Sequence, residues 1–109
     1  MTSVFNILIP FMTFFADSFY IHGRLVDHQY NPIESFILKT YQSNEKNEYV
    51  RLIRTDTIRH VNGEFKVIKL EAGRYLLKIE VPDYTGYTFC AEIKDANQSF
   101  PDICLQPSR

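Results

Sequence analysis

The side chains in this chain with chemistry to offer are three histidines, two cysteines, seven tyrosines and one glycosylation sequon. His22, Asp27 and His28 would meet on a metal ion only if the first loop folded back over its strand. Their spacings are neither the short-turn nor the helical spacings of zinc ligands, which favours solvent-facing histidines. Gly-x-Ser-x-Gly, His-Glu-x-x-His, phosphate-loop and Cys-x-x-Cys patterns do not occur. Asp and Glu are spread along the chain, with no pair that the sequence can set at a glycosidase separation. The sequence therefore assigns no catalytic residue, no metal ligand and no cofactor, and the chain is expected not to be an enzyme.

Other residues offer binding or modification instead. Cys90 and Cys104 flank residue 97, inside a turn expected over Asp95 to Ser99. A hairpin centred there would bring the two thiols together, and an oxidising lumen would join them, stabilising the fold by about 3 kcal/mol for a loop of this length. Two reduced cysteines, one buried and one at an edge, are the alternative. Asn97-Gln98-Ser99 is an N-glycosylation sequon on the same turn. Tyr20, Tyr30, Tyr84 and Tyr87 are candidates for an aromatic ligand or partner surface. Their competing role is core packing or cross-strand pairing, the commoner fate of strand aromatics.

The elements that must position these residues are strands. Asn62-Gly63 is a turn dipeptide; Phe65 and Val67 then alternate with Glu64 and Lys66. Glu71-Ala72-Gly73 makes the next reversal. Tyr75, Leu77, Ile79 and Val81 alternate with Leu76, Lys78 and Glu80 as far as Pro82. Upstream, strands are expected over 19–26, 33–41 and 48–55, with Asp56 to Val61 irregular. Downstream, strands are expected over 87–93 and 100–105, the last broken by Pro101. Phe65, Leu77 and Ile79 are expected in the core. Seven short strands with turn signals between them predict one antiparallel β-sandwich over residues 19–109.

The chain has 109 residues and a formal net charge of −1, so one domain is expected. Beyond residue 18 the charges balance, and only Arg51, Arg54 and Arg59 approach a basic cluster. That gives no electrostatic reason to bind nucleic acid or an anionic membrane. Val4 to Phe15 is mostly apolar, and Ala16-Asp17-Ser18 puts small residues at −3 and −1 of a cut before Phe19. This predicts a signal peptide at 1–18, although Met1-Thr2-Ser3 lacks a basic residue. A buried N-terminal strand or helix is the competing reading, and Asn6 and Pro10 weigh against the helix. No later segment is an apolar run long enough for a membrane helix.

One further pattern runs through most of residues 19–93. Ile21 to Val26 reads Ile-x-Gly-Arg-x-Val. It is followed by Pro32, Thr55-Asp56, Gly63-Glu64-Phe65, Leu70-Glu71-Ala72-Gly73-Arg74-Tyr75 and Pro82-Asp83-Tyr84. This resembles the prealbumin-like, carboxypeptidase-regulatory-like β-sandwich. Within that group, Phe19 to Val26, Gly63 to Val67 and Glu80 to Tyr84 are most similar to the lumenal domain of the seventh subunit of the endoplasmic reticulum membrane protein complex. The resemblance implies a non-catalytic part of a machine that inserts membrane segments, with protein subunits as partners. It implies a location in the endoplasmic reticulum lumen or at its membrane.

Two departures stand out: the family's C-terminal membrane helix has no counterpart before Arg109, and Asp56 to Val61 lengthens the approach to the Gly-x-Phe turn. A secreted module for carbohydrate or peptide is the alternative. Transthyretin-type hydrolases end in Tyr-Arg-Gly-Ser with paired histidines; this chain ends Gln106-Pro107-Ser108-Arg109, and its histidines do not match.

Overall fold

A computed structural model describes residues 18–108. The expected signal peptide therefore lies outside the described residues, apart from Ser18. Eight strands follow in order: β1 (Phe19–Val26), β2 (Ser35–Ser43), β3 (Tyr49–Arg59), β4 (Glu64–Leu70), β5 (Gly73–Glu80), β6 (Tyr87–Ile93), β7 (Gln98–Ser99) and β8 (Ile103–Cys104). There is no helix among the described residues, and hence none long and apolar enough to cross a membrane.

The strands form two sheets. One runs β4-β1-β7, with β8 also paired to β1; the other runs β3-β2-β5-β6. Alternation explains the layering. Ile21 and Leu25 of β1 and Phe65, Val67 and Leu70 of β4 face inward. Across the gap stand Phe36 and Leu38 of β2, Tyr75, Leu77 and Ile79 of β5, and Ala91 and Ile93 of β6. Phe65, Leu77 and Ile79 are only 3%, 0% and 0% exposed, as their alternation predicts.

Gly23 shares the inner face of β1 and pairs with Phe65. The Phe65 ring lies over it, so that a Cβ at Gly23 would meet the ring at 2.5 Å. The glycine of the Ile-x-Gly-Arg pattern is thus the seat of a core aromatic. Phe65 also meets Phe36 edge-on at 6.1 Å. The β1–β4 ladder carries a bulge opposite Tyr20, where two residues of β4, Ile68 and Lys69, answer one of β1. Lys69 takes a left-handed backbone there, with φ +61°.

Two expectations need correction. The stretch after Thr55 is strand, not irregular: β3 runs on to Arg59, and Asp56 and Ile58 pair with Leu38 and Phe36. The last strand does not fold back on β6. β7 and β8 instead cross to the other sheet and run parallel to β1, with Ile21 beside Gln98 and Val26 beside Cys104. The expected hairpin around residue 97 is therefore absent.

Thr40 is fully buried, and its hydroxyl has no hydrogen-bond partner among the described residues. It stands between Leu77 and Arg54 in register. A buried hydroxyl without a partner costs about 1–3 kcal/mol of desolvation. Thr40→Val keeps the shape and removes that cost. Chemical denaturation should show it more stable by about 1 kcal/mol; a loss of stability would mean that the hydroxyl is bonded in solution.

Candidate functional site

β1 and β4 lay their alternate residues on the outer face of the smaller sheet. Tyr20 and His22 come from β1, Glu64 and Lys66 from β4; His60 joins them from the turn before β4, and Ser99 from β7. These six side chains line a hollow of about 400 Å³. The register sets His22 beside Lys66 and beside Ser99. Lys66 Nζ stands 4.5 Å from the centre of the Tyr20 ring, a cation–π contact. His22 Nε2 lies 3.4 Å from Glu64 Oε1, a long contact between groups that are 35% and 42% exposed. In water such a pair contributes at most about 1 kcal/mol. His60 Nδ1 accepts the Asn62 backbone N–H at 3.1 Å.

Chemically, the hollow offers one aromatic face and a ring of donors and acceptors of both signs. Ser99, His22 and Glu64 are residue types that serve in acyl transfer. That chemistry needs a nucleophile hydrogen-bonded to its base. Among the described residues, no hydrogen bond joins Ser99 Oγ to His22. The arrangement is suited to holding a polar ligand by contact.

The residues singled out from sequence fall in several places. Tyr20 lines the hollow, and its backbone N–H donates to Asn97 Oδ1 at 2.9 Å. The sequon asparagine is thus exposed and held beside the hollow by its oxygen. None of the other three tyrosines lines this hollow. Tyr30 is 70% exposed in the β1–β2 loop, with φ +65°. Tyr84 is partly buried against the core and bridges to Pro107. Tyr87 begins β6, 40% exposed, with its ring 6.0 Å from Phe89.

Cys90 and Cys104 are both free thiols. Cys90 is exposed opposite Leu76 on β6, whereas Cys104 sits on β8 next to Val26, its thiol donating to Asp27 O at 3.3 Å. The disulfide expectation rested on a hairpin that does not form.

Of the histidine set, His22 is in the hollow, but Asp27 has a different task. Its Oδ1 accepts the N–H groups of Gln29 at 2.8 Å and Asn31 at 2.9 Å, closing the β1–β2 loop. No group of three metal-ligating side chains converges among the described residues. The backbone hydrogen bond from Asn31 is the largest influence holding the Asp27 carboxyl below its ordinary value of 3.8, with help from Gln29 and the charge of His28. The unfolded chain thus binds this proton more tightly than the folded one. The carboxylate's contribution to the loop is full above 3.8 and is lost as pH falls through the lowered folded value. Asp27→Ala should therefore speed amide exchange at Gln29 and Asn31 at neutral pH, and its difference from the parent should vanish on acidification. A pH-independent difference would rule out the carboxylate as the cause.

Two aromatic features escaped the sequence reading. Tyr49 of β3 stacks edge-on against Tyr41 of β2 at 4.6 Å, and its hydroxyl lies 3.3 Å from Thr88 Oγ1 on β6. To touch both it must cross β5. There Leu76, an outward residue by alternation, is only 6% exposed. The stack of Lys66 on Tyr20 was equally hidden, because period-two patterning gives faces but no cross-strand register.

No protein-family model matches the sequence, and no curated protein matches it. Among solved structures the chain is similar to catechol 1,2-dioxygenase of Acinetobacter radioresistens, with a TM-score of 0.65 and 12% identity over 89% of this chain and 54% of that one. It is similar to a streptococcal ancillary pilin, with a TM-score of 0.63 and 18% identity over 83% of this chain and 32% of that one. The TIE protein of Bacillus anthracis gives a TM-score of 0.61 and 18% identity over 84% of this chain and 17% of that one. The chain is a β-sandwich. It spans about half the length of the dioxygenase and less of the other two, and likeness at this level of identity shows the fold alone.

Proposed function

We propose that this chain is a non-catalytic β-sandwich module of the endoplasmic reticulum lumen, a docking subunit of the kind found in the membrane-protein insertion complex. The observation that supports this reading is the Phe19 to Val26 segment. Its pattern resembles that subunit, and in the fold it is the strand that every other strand of the smaller sheet pairs with. The non-catalytic part of the reading draws support from the hollow, where His22 and Glu64 stay 3.4 Å apart and more than a third exposed. Native electrophoresis of the tagged full chain, after mild-detergent extraction from its own cells, is the test. Migration with a large membrane complex is expected. A monomer-sized species in the medium would overturn the reading.

A second reading has an observation of its own. Tyr20, stacked under Lys66 and ringed by His22, His60 and Glu64, suits a carbohydrate or a polar peptide, as a secreted binding module would need. Sequon Asn97 beside it would carry its glycan at the rim of this hollow. An oligosaccharide array probed with the full chain should show binding that Tyr20→Ala abolishes. A silent array, or binding that survives Tyr20→Ala, would remove the sugar reading of this hollow.

A further inference from the structure

Among the described residues, β3 is the longest strand and the only one of its sheet with both an open edge and a run of exposed apolar residues. Among the described residues it is paired with β2 on one side and with nothing on the other. Val50 is 54% exposed, Leu52 48% and Ile53 37%. Ile68 of β4, whose carbonyl accepts Arg54 Nη2 at 2.7 Å, adds a further exposed apolar side chain on the same border. An open strand edge of this kind is a template for another strand.

The backbone shows which groups are available. His60 N–H donates to Glu34 O at 2.9 Å. In the register Ser35↔Arg59, Phe36↔Ile58, Ile37↔Thr57, Leu38↔Asp56 and Lys39↔Thr55, hydrogen-bonded and non-hydrogen-bonded pairs alternate. Ile58, Asp56 and Arg54 thus spend their backbone groups on β2, and those of Thr57 and Thr55 point outward.

We propose that this edge pairs with the same edge of a second copy of the chain, antiparallel about a twofold axis at Thr55. The side chains select that partner and that register. An axis at Arg54 would set the two Arg54 guanidinium groups face to face, and an axis at Asp56 would do so with the two carboxylates. An axis at Thr57 would set each Asp56 against Ile58. Only an axis at Thr55 places Arg54 opposite the second copy's Asp56, twice, with Ile53 opposite Thr57, twice. Like charges directly opposite are unfavourable and opposite charges favourable. The Thr55 pair is then hydrogen-bonded through the outward backbone groups, and the Arg54–Asp56 pairs fall at the closer, non-hydrogen-bonded positions. The bulge between Arg54 and Leu52 limits the ladder to Ile53–Thr57 and carries Arg51 away from the axis. Eight strands then form one sheet, β6-β5-β2-β3 continued by its twofold image.

Sedimentation equilibrium of the full chain, from micromolar to millimolar concentration, should show a reversible dimer. Thr55→Pro removes the donor at the axis and leaves every bond to β2 in place; it should weaken the dimer at least tenfold. A second pair of variants keeps the test sharp if the proline disturbs the fold. In a background with Cys90→Ser and Cys104→Ser, Thr55→Cys should form a disulfide-linked dimer under mild oxidation, because hydrogen-bonded partners stand about 5.5 Å apart at Cα. Thr57→Cys should not, because its copies would lie about 14 Å apart at roughly 3.3 Å per residue along the strand. A monomer at every concentration, a folded Thr55→Pro that dimerises like the parent, or equal cross-linking of the two cysteine variants would each overturn the proposal.

Discussion

Gly63→Ala should destabilise the sandwich by about 3 kcal/mol, from two separable causes. Gly63 has φ +72°, a left-handed conformation that costs an L residue roughly 1–2 kcal/mol. A Cβ there would also press onto the Leu25 carbonyl oxygen, with Ile33 O only 3.0 Å away. That carbonyl accepts the Ile33 N–H at 3.0 Å, while Leu25 N–H donates to Gly63 O at 2.9 Å. The turn, the end of β1 and the entry to β2 are thus tied in one small knot of backbone, and none of the neighbours is a side chain that can swing aside. Overpacking of this sort adds about 1–3 kcal/mol. Thermal unfolding should shift down by roughly 12 °C or more for a domain of this size. A shift of only a few degrees would mean that the turn relaxes and that the knot is not rigid.

The second large effect belongs to Phe65. Phe65→Ala should cost about 3–5 kcal/mol, because the ring is 3% exposed and packs on Gly23 and Phe36. Gly23→Ala alone should cost about 1–3 kcal/mol, through collision with the same ring. With the ring gone, the new methyl group has room. Gly23→Ala in a Phe65→Ala background should therefore cost almost nothing, and the cycle should show a coupling of about 1–3 kcal/mol, the whole cost of the single substitution. Strict additivity would falsify the idea that Gly23 is selected by the ring.

Both positions were marked in the sequence, and the physical reason they were legible is local. Asn62-Gly63 announces a left-handed turn, and Phe65-Lys66-Val67 alternates without interruption. β1 and β6 have the limits that their alternation predicts. The expected third strand stops short at Thr55 because Asp56 and Thr57 follow, and a polar residue on an inward face looks like loop; β3 runs on to Arg59. An edge strand allows this: Arg54 and Asp56 lie at the border of the sandwich, 30% and 37% exposed, with 3.3 Å between them.

The C-terminal strands were misjudged for a different reason. Pairing of β7 and β8 with β1 joins residues about eighty positions apart, and nothing within a window of the sequence encodes that. Cys90 and Cys104 inherited the error, as their pairing was inferred from a local hairpin. The hollow was half legible: Tyr20 and Asn97 were marked, but their meeting depends on the same long-range crossing.

The parallel pairing of β8 with β1 also sets the order in which the chain can finish folding. The contacts between β2 and β3, and between β5 and β6, are near neighbours in sequence and need no distant partner. β1, made first, waits for β4 on one flank and for the last strands on the other. Long-range pairing of this kind is slow, and the exposed strand is vulnerable while it waits. During synthesis β1 is a half-open edge until Ile103 and Cys104 have emerged. A nascent chain exposed as far as Asp102 should hold a formed larger sheet and an uncapped β1, so that the sandwich is sealed only by its last strand.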